Sequence, residues 1–120
     1  MTVGGHRSER LAEEIHREVD LMLAGELKDP RLAGSVQVTE VRVTPDLHTV
    51  RVFVQLEGNE EERAAAAQGL KAAASYVRHE LVERLQLRRA PEVLFVPDES
   101  EEYGRHIDEL LRQVHPPKKP

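Results

Sequence analysis

Leu11, Ile15, Val19, Met22 and Leu23 recur at helical spacing with charged residues between them. This pattern predicts an amphipathic first helix. Ser8 stands where an N-cap is expected, and Asp29-Pro30 closes the pattern because proline lacks the donor that a continuing helix needs. From Val36 the period changes. Val36 and Val38 alternate with polar residues, as do Val41 and Val43, but the phase slips between Val38 and Val41, which predicts a β-bulge. Thr44-Pro45-Asp46-Leu47-His48 reads as a turn. Val50, Val52, Val54 and Leu56 then alternate again, so the two runs make an antiparallel hairpin.

Asn59 followed by Glu62 has capping-box spacing, and the acidic residues after the cap suit the positive end of a helix dipole. The second helix then runs to about Leu87, through an alanine-dense stretch, with Leu70, Ala74, Val77, Leu81 and Leu85 as its later apolar stripe. A straight helix from Glu60 to Leu87 would span roughly 40 Å, more than a domain of this size comfortably covers. A break or bend near Ala73 to Ser75 is therefore expected. Val93-Leu94-Phe95-Val96 is a continuous apolar run that suits a strand buried on both faces. Tyr103, Ile107, Leu110, Leu111 and Val114 predict a last helix, which Pro116-Pro117 cannot continue. The expectation is one α+β domain over residues 8–114, of order α-β-β-α-β with a C-terminal helix, between a flexible N-terminus at 1–7 and a disordered tail at 115–120.

Composition narrows the function. A chain of 120 residues fits one domain, and with no cysteine it has no disulfide, thiolate metal site or cysteine nucleophile. No stretch has the length of a transmembrane helix and the start does not read as a signal peptide, so a cytoplasmic protein with no membrane role is expected. The 22 acidic and 17 basic residues give a net charge of −5, which is unusual for a nucleic-acid binder. The acids concentrate at Glu57 to Glu62 and Asp98 to Glu102, leaving the rest of the chain less acidic and the molecule bipolar. Two Phe, two Tyr and no Trp argue against an aromatic stacking platform.

No phosphate-loop, zinc-protease or acyl-transfer motif occurs, and the histidines are scattered. An enzyme is not expected. His79, beside Arg78, is the one histidine worth weighing, with a surface or packing role as its simpler reading. The positive chemistry is a basic set at Lys71, Arg78, Arg84, Arg88 and Arg89. Guanidinium groups suit phosphate because they stay charged and present planar forked donors. Pairing of Arg84 with Glu80, and of Arg88 with Glu83 or Glu92, would instead make this an ordinary solvated face.

Three segments taken together carry a resemblance: Glu26-Leu27-Lys28-Asp29-Pro30-Arg31-Leu32-Ala33-Gly34, Val41-Arg42-Val43-Thr44-Pro45-Asp46-Leu47 and Leu87-Arg88-Arg89-Ala90-Pro91-Glu92-Val93-Leu94-Phe95. In this order and spacing they resemble the bacterial ribosome-binding factor A family, from roughly Arg7 to Leu111. The resemblance implies a type II K-homology-like fold with a three-stranded sheet, in which a helix kink of pattern Ala-x-Gly replaces the phosphate-clamping Gly-x-x-Gly loop. Aligning on Tyr76-Val77-Arg78 places that kink at Ala73-Ala74-Ser75, with serine where the family usually has glycine. Thr44 and Val50 are milder departures. By the same resemblance the protein binds the free 30S subunit and 16S rRNA, assists late maturation and 5′-end processing of 16S rRNA, and serves cold adaptation. It would act as a monomer without a cofactor. Lys28, Arg31, Lys71, Arg78, Arg88 and Arg89 would supply phosphate contacts, and Ala73, Ala74 and Ser75 would let a helix approach RNA closely. Two rivals from other classes are a protein-interaction module without RNA binding and a small hydrolase using His79.

Overall fold

In a computed structural model the described residues are 3–98, with side chains from Arg7 onward. The predicted last helix and tail lie outside them. Helix α1 spans Val3–Leu21 and runs into a π-helical turn at Met22–Glu26. A 3-10 turn at Pro30–Leu32 follows, then strands β1 (Val36–Val43) and β2 (Thr49–Leu56), helix α2 (Glu60–Leu85) and strand β3 (Glu92–Pro97). The strand order is β1-β2-β3. β2 pairs antiparallel with β1 and parallel with β3, so α2 is the crossover of a β-α-β unit.

Valines from one face of the sheet meet the helices. Val38, Val41, Val50, Val52, Val54 and Val93 are buried against Ile15, Val19 and Met22 on one side and Leu70, Val77 and Leu81 on the other. The predicted bulge is present: the register with β2 shifts between Val38 and Glu40. Its effect is to keep Val41, paired with Val52, on the same buried face as Val38, paired with Val54, although three residues separate them in sequence. Without the extra residue the strand's second half would turn its valines to solvent.

Several expectations are corrected. Ser8 is not an N-cap, because α1 begins at Val3 and Ser8 sits buried inside the helix. It lies two turns before Ile15 and so shares the face that packs on the sheet. Asp29-Pro30 does not end the first helix either. Helical geometry stops at Leu27, which is extended, and Asp29 instead caps the 3-10 turn by accepting from the Arg31 amide at 2.9 Å. Among the described residues β3 is an edge strand rather than one buried on both faces: Val93 is buried while Leu94 is 37% exposed, because α1 and α2 cover only one side of the sheet.

The expected break in the second helix is absent. α2 is helical without interruption through Ala73, Ala74 and Ser75. Alanine is the best helix former, and one serine costs too little to break a run of this kind. The helix can be this long because it has more to rest on than the sheet. Gly69 packs against Leu32 in the 3-10 turn, the middle of the helix lies along β3, and Arg84 near its end reaches Glu18 on α1. The predicted capping box is formed, with Glu62 N–H donating to Asn59 Oδ1 and Asn59 N–H donating to Glu62 Oε1, each at 2.8 Å. Gln86, in the left-handed conformation, ends the helix one residue after Leu85.

Candidate nucleic-acid interface

Two loops build the basic end of the molecule. In the β1–β2 turn, Leu47 N–H donates to the Thr44 carbonyl at 2.8 Å, and Asp46 Oδ1 accepts from the Thr44 hydroxyl at 2.7 Å and from the His48 amide at 3.0 Å. These bonds hold the Asp46 carboxyl below its ordinary range, first through the Thr44 hydroxyl and then through the His48 amide. Leu47 takes a positive φ of 62° to close the turn. In the α2–β3 connection, the left-handed Gln86 redirects the chain and buried Pro91 delivers it to β3. Glu92 N–H then donates to the His48 carbonyl at 2.8 Å, tying the two loops together.

The side chains meet where the loops do. Arg89 Nη1 lies 2.9 Å from His48 Nε2. A guanidinium can only donate, so in this contact Nε2 is the accepting atom, while Nδ1 faces Asp46 Oδ2 at 3.5 Å. Two clefts flank this contact. One, of about 450 Å³, is lined by His48, Ala74, Ser75, Arg78, Arg89, Ala90, Glu92 and Val93. The other, of about 460 Å³, runs past Arg7, Asp46, His48, Arg88 and Arg89. Arg78, Arg88 and Arg89 are exposed.

The sequence-predicted set is not gathered in one place. Arg78, Arg88 and Arg89 converge with Ala74 and Ser75 at the C-terminal part of α2. Lys71 lines a smaller, adjoining cleft of about 340 Å³ with Gln68, Leu94 and Phe95, which shares Ala74 and Val93 with the first, and Ala73 is half-buried on the same helix. Arg31 lies at the far end of α2, in a cleft with Glu57, Gly58 and Glu62. It is engaged there: its Nε and Nη2 donate to the Asp29 carboxylate at 3.0 and 2.6 Å, and this raises the guanidinium pKa and lowers that of Asp29. Lys28, also exposed, precedes this pair. Arg84 is held by three carboxylates, bonding Glu80 and Glu18 at 3.1 Å each and Glu26 besides, and these bonds raise its pKa. It joins α1, the π-helical turn and α2, a structural role for a residue that sequence alone grouped with the phosphate binders.

Sequence reasoning missed His48 and Arg7. His48 is visible in the sequence as the last residue of a turn, and only the fold of β3 against that turn brings it to Arg89. Arg7 carries no local signal. His79 is exposed, and no cluster among the described residues could hold a metal ion.

Comparison with known proteins assigns the chain. The family model described as Ribosome-binding factor A matches residues 7–111. The chain belongs to the ribosome-binding factor A family. A ribosome-binding factor A from Caldanaerobacter subterraneus subsp. tengcongensis is 43% identical over 110 residues, covering 92% of this chain and 90% of the relative. The crystal structure of ribosome-binding factor A from Thermus thermophilus matches with a TM-score of 0.58 at 27% identity, over 80% of this chain and 97% of that one. A homology model of the Thermus thermophilus factor, fitted into a cryo-electron microscopy map of a 30S complex, matches with a TM-score of 0.51 at 28% identity, over 82% and 93%. The α+β architecture is thus the K-homology-like fold of ribosome-binding factor A.

Proposed function

We propose that this protein is a ribosome assembly factor that binds the free 30S subunit through 16S rRNA and assists late maturation of the 16S 5′ end. The supporting observation is the convergence of Arg78, Arg88 and Arg89 around two open clefts, in a family one of whose members has been fitted into a 30S complex. Guanidinium groups spread over a few turns of backbone suit the phosphates of folded RNA, which is recognised largely by shape and backbone. The −5 net charge is compatible with this because the acidic residues at Glu57 to Glu62 lie at the opposite end of α2. The role is one of binding rather than catalysis, by a monomer without a cofactor, in the cytoplasm and with particular importance in the cold. No helix among the described residues is long and apolar enough to cross a membrane. In place of a broken helix, uninterrupted α2 presents Arg78 and the small residues Ala74 and Ser75 beside β3.

Sedimentation tests the reading. The tagged protein should travel with free small subunits and little with translating ribosomes, and cells lacking it should accumulate small subunits that carry unprocessed 16S precursor. Equal binding to both particles, or normal 16S ends in the depleted cells, would refute an assembly role.

A further inference from the structure

β3 is apolar on both of its faces. Val93 and Phe95 pack against the core, while Leu94 and Val96, one residue out of phase, turn to the side of the sheet that neither α1 nor α2 covers. A strand with one solvated face would alternate with polar residues instead. The register sets Val96 beside Phe53 and Leu94 beside Arg51, so a small apolar patch lies on the open face, with Arg42 and Arg51 directly opposite each other at its border. Like charges so placed repel. Arg42 pairs with Glu40 and stands 5.7 Å over the Phe53 ring, but no carboxylate among the described residues pairs with Arg51. The patch has apolar surface to bury and a cation to neutralise. The chain also leaves β3 onto this face: Asp98 N–H donates to the Val54 carbonyl at 2.7 Å, and the Asp98 carboxylate reaches across β2 to accept from the Thr39 hydroxyl at 2.5 Å.

We infer that residues 101–114 dock on this open face as an amphipathic helix running back along β3. Tyr103, Ile107, Leu110, Leu111 and Val114 form one stripe at helical spacing, Ser100 stands where an N-cap is expected, and Glu101 and Glu102 suit the first turn. The lengths agree. From Asp98 back to Leu94 is four strand residues, roughly 13 Å, which a helix spans in about nine residues. Ile107 then comes level with Leu94, and Asp108, at the flank of the stripe, comes level with Arg51. Tyr103, halfway along, falls near Phe53 and Val96. Attachment at Asp98 favours this occupant over a separate molecule, because it holds the segment at high effective concentration. The inference is independent of the ribosomal reading, and it assigns Arg51 to the segment rather than to RNA.

The chain has no cysteine, so Arg105→Cys, on the side of the helix away from the stripe, can carry a single nitroxide spin label. In amide spectra of the full-length labelled protein, Arg51, Phe53 and Leu94 should lose most of their intensity relative to the reduced label, while Ile15 and Val19 on α1 lose little. Ile107→Asp in the same protein should restore the lost intensities and lower the melting temperature. Arg51→Glu should weaken the loss, and Arg51→Glu combined with Asp108→Arg should recover it. Full intensities in the labelled Arg105→Cys protein, a loss spread evenly over both sides of the sheet, or a loss that Ile107→Asp leaves unaltered would overturn the inference. So would the same loss in isotope-labelled protein mixed with spin-labelled protein of natural isotope composition, because it would place a second copy on the face. If the intensities stay full and Arg51→Ala weakens small-subunit binding, the face belongs to RNA and the inference falls.

Discussion

The two ends of α2 carry similar residue types and do opposite things with them. At the N-terminal end the helix dipole favours an anion, yet Asn59 and Glu62 already occupy amide donors there, and Glu60, Glu61 and Glu62 fill the first turn with negative charge. Arg31 lies near them in a bidentate pair with Asp29. At the C-terminal end the dipole disfavours an anion, and Arg78, Arg88 and Arg89 reverse the local field while none of them forms such a closed pair with a carboxylate among the described residues. About 24 Å of helix separates Glu62 from Arg78. What a guanidinium can do here is decided by its neighbours rather than by its type.

The largest effect should come from the basic end. Replacing Arg78, Arg88 and Arg89 together by alanine should leave the melting temperature nearly unchanged and weaken small-subunit binding on the order of 100-fold, because three phosphate-binding cations are removed. Titration of subunits with the labelled variant would measure it, and a change below about three-fold would dissolve the distinction between the ends.

Packing sharpens the comparison from the other side. A Cβ built on Gly69 would sit 3.0 Å from Leu32 and 3.3 Å from the Asp29 carboxylate, so the acidic end depends on close approach of α2 to the Pro30–Leu32 turn. Gly69→Leu should overpack this contact and cost about 1–3 kcal/mol in denaturant unfolding while leaving RNA affinity intact. Ala74 is half-buried at the rim of the cleft, so Ala74→Leu should reduce binding more than stability.

Arg84 gives a smaller effect of a third kind. Arg84→Met removes a cation that three carboxylates share, leaving Glu18, Glu26 and Glu80 to repel one another. The melting temperature should fall, more so at low salt, with no change in the salt dependence of binding.

Acid should act weakly at both ends. The Asp29 and Asp46 carboxyls lie below the ordinary value of 3.8, the first through Arg31 and the second through Thr44 and the His48 amide. A depressed folded pKa contributes stability that is fully present above the unfolded value and lost as pH falls through the folded one. Stability should therefore decline below about pH 3.8, and Asp29→Asn or Asp46→Asn should flatten the decline. Unfolding midpoints measured from about pH 5 down to about pH 2 would show whether either mutation leaves the slope unaltered.

The elements were legible where a local rule decides them. Valine alternation located β1 and β2, its phase slip between Val38 and Val41 located the bulge that the register places at Thr39, and the Asn59 and Glu62 spacing located the start of α2. Non-local packing defeated the rest. Ser8 resembles a cap in sequence but is claimed by the core, and Leu94 resembles a buried residue because nothing in a short apolar run says how many faces the helices cover. The expected kink combined helix length with a family pattern that this chain lacks at Ser75, and an alanine-rich helix supported from three directions has no reason to break. At the candidate site, Arg78, Arg88 and Arg89 were visible as cations of one region. That Arg31 is committed to Asp29, that Arg84 is a structural hub, and that His48 orients Arg89 depend on contacts between segments distant in the chain or on local geometry that spacing does not encode.

The most direct test is the salt dependence of small-subunit binding, compared between the Arg78, Arg88 and Arg89 triple-alanine variant and a Lys28 and Arg31 double-alanine variant. The slope of log affinity against log salt should fall by up to about one unit for each arginine removed in the triple variant and stay at the wild-type value in the double variant. An unchanged slope in the triple variant, or an equal fall per residue in the double variant, would contradict the assignment of phosphate recognition to the C-terminal end of α2.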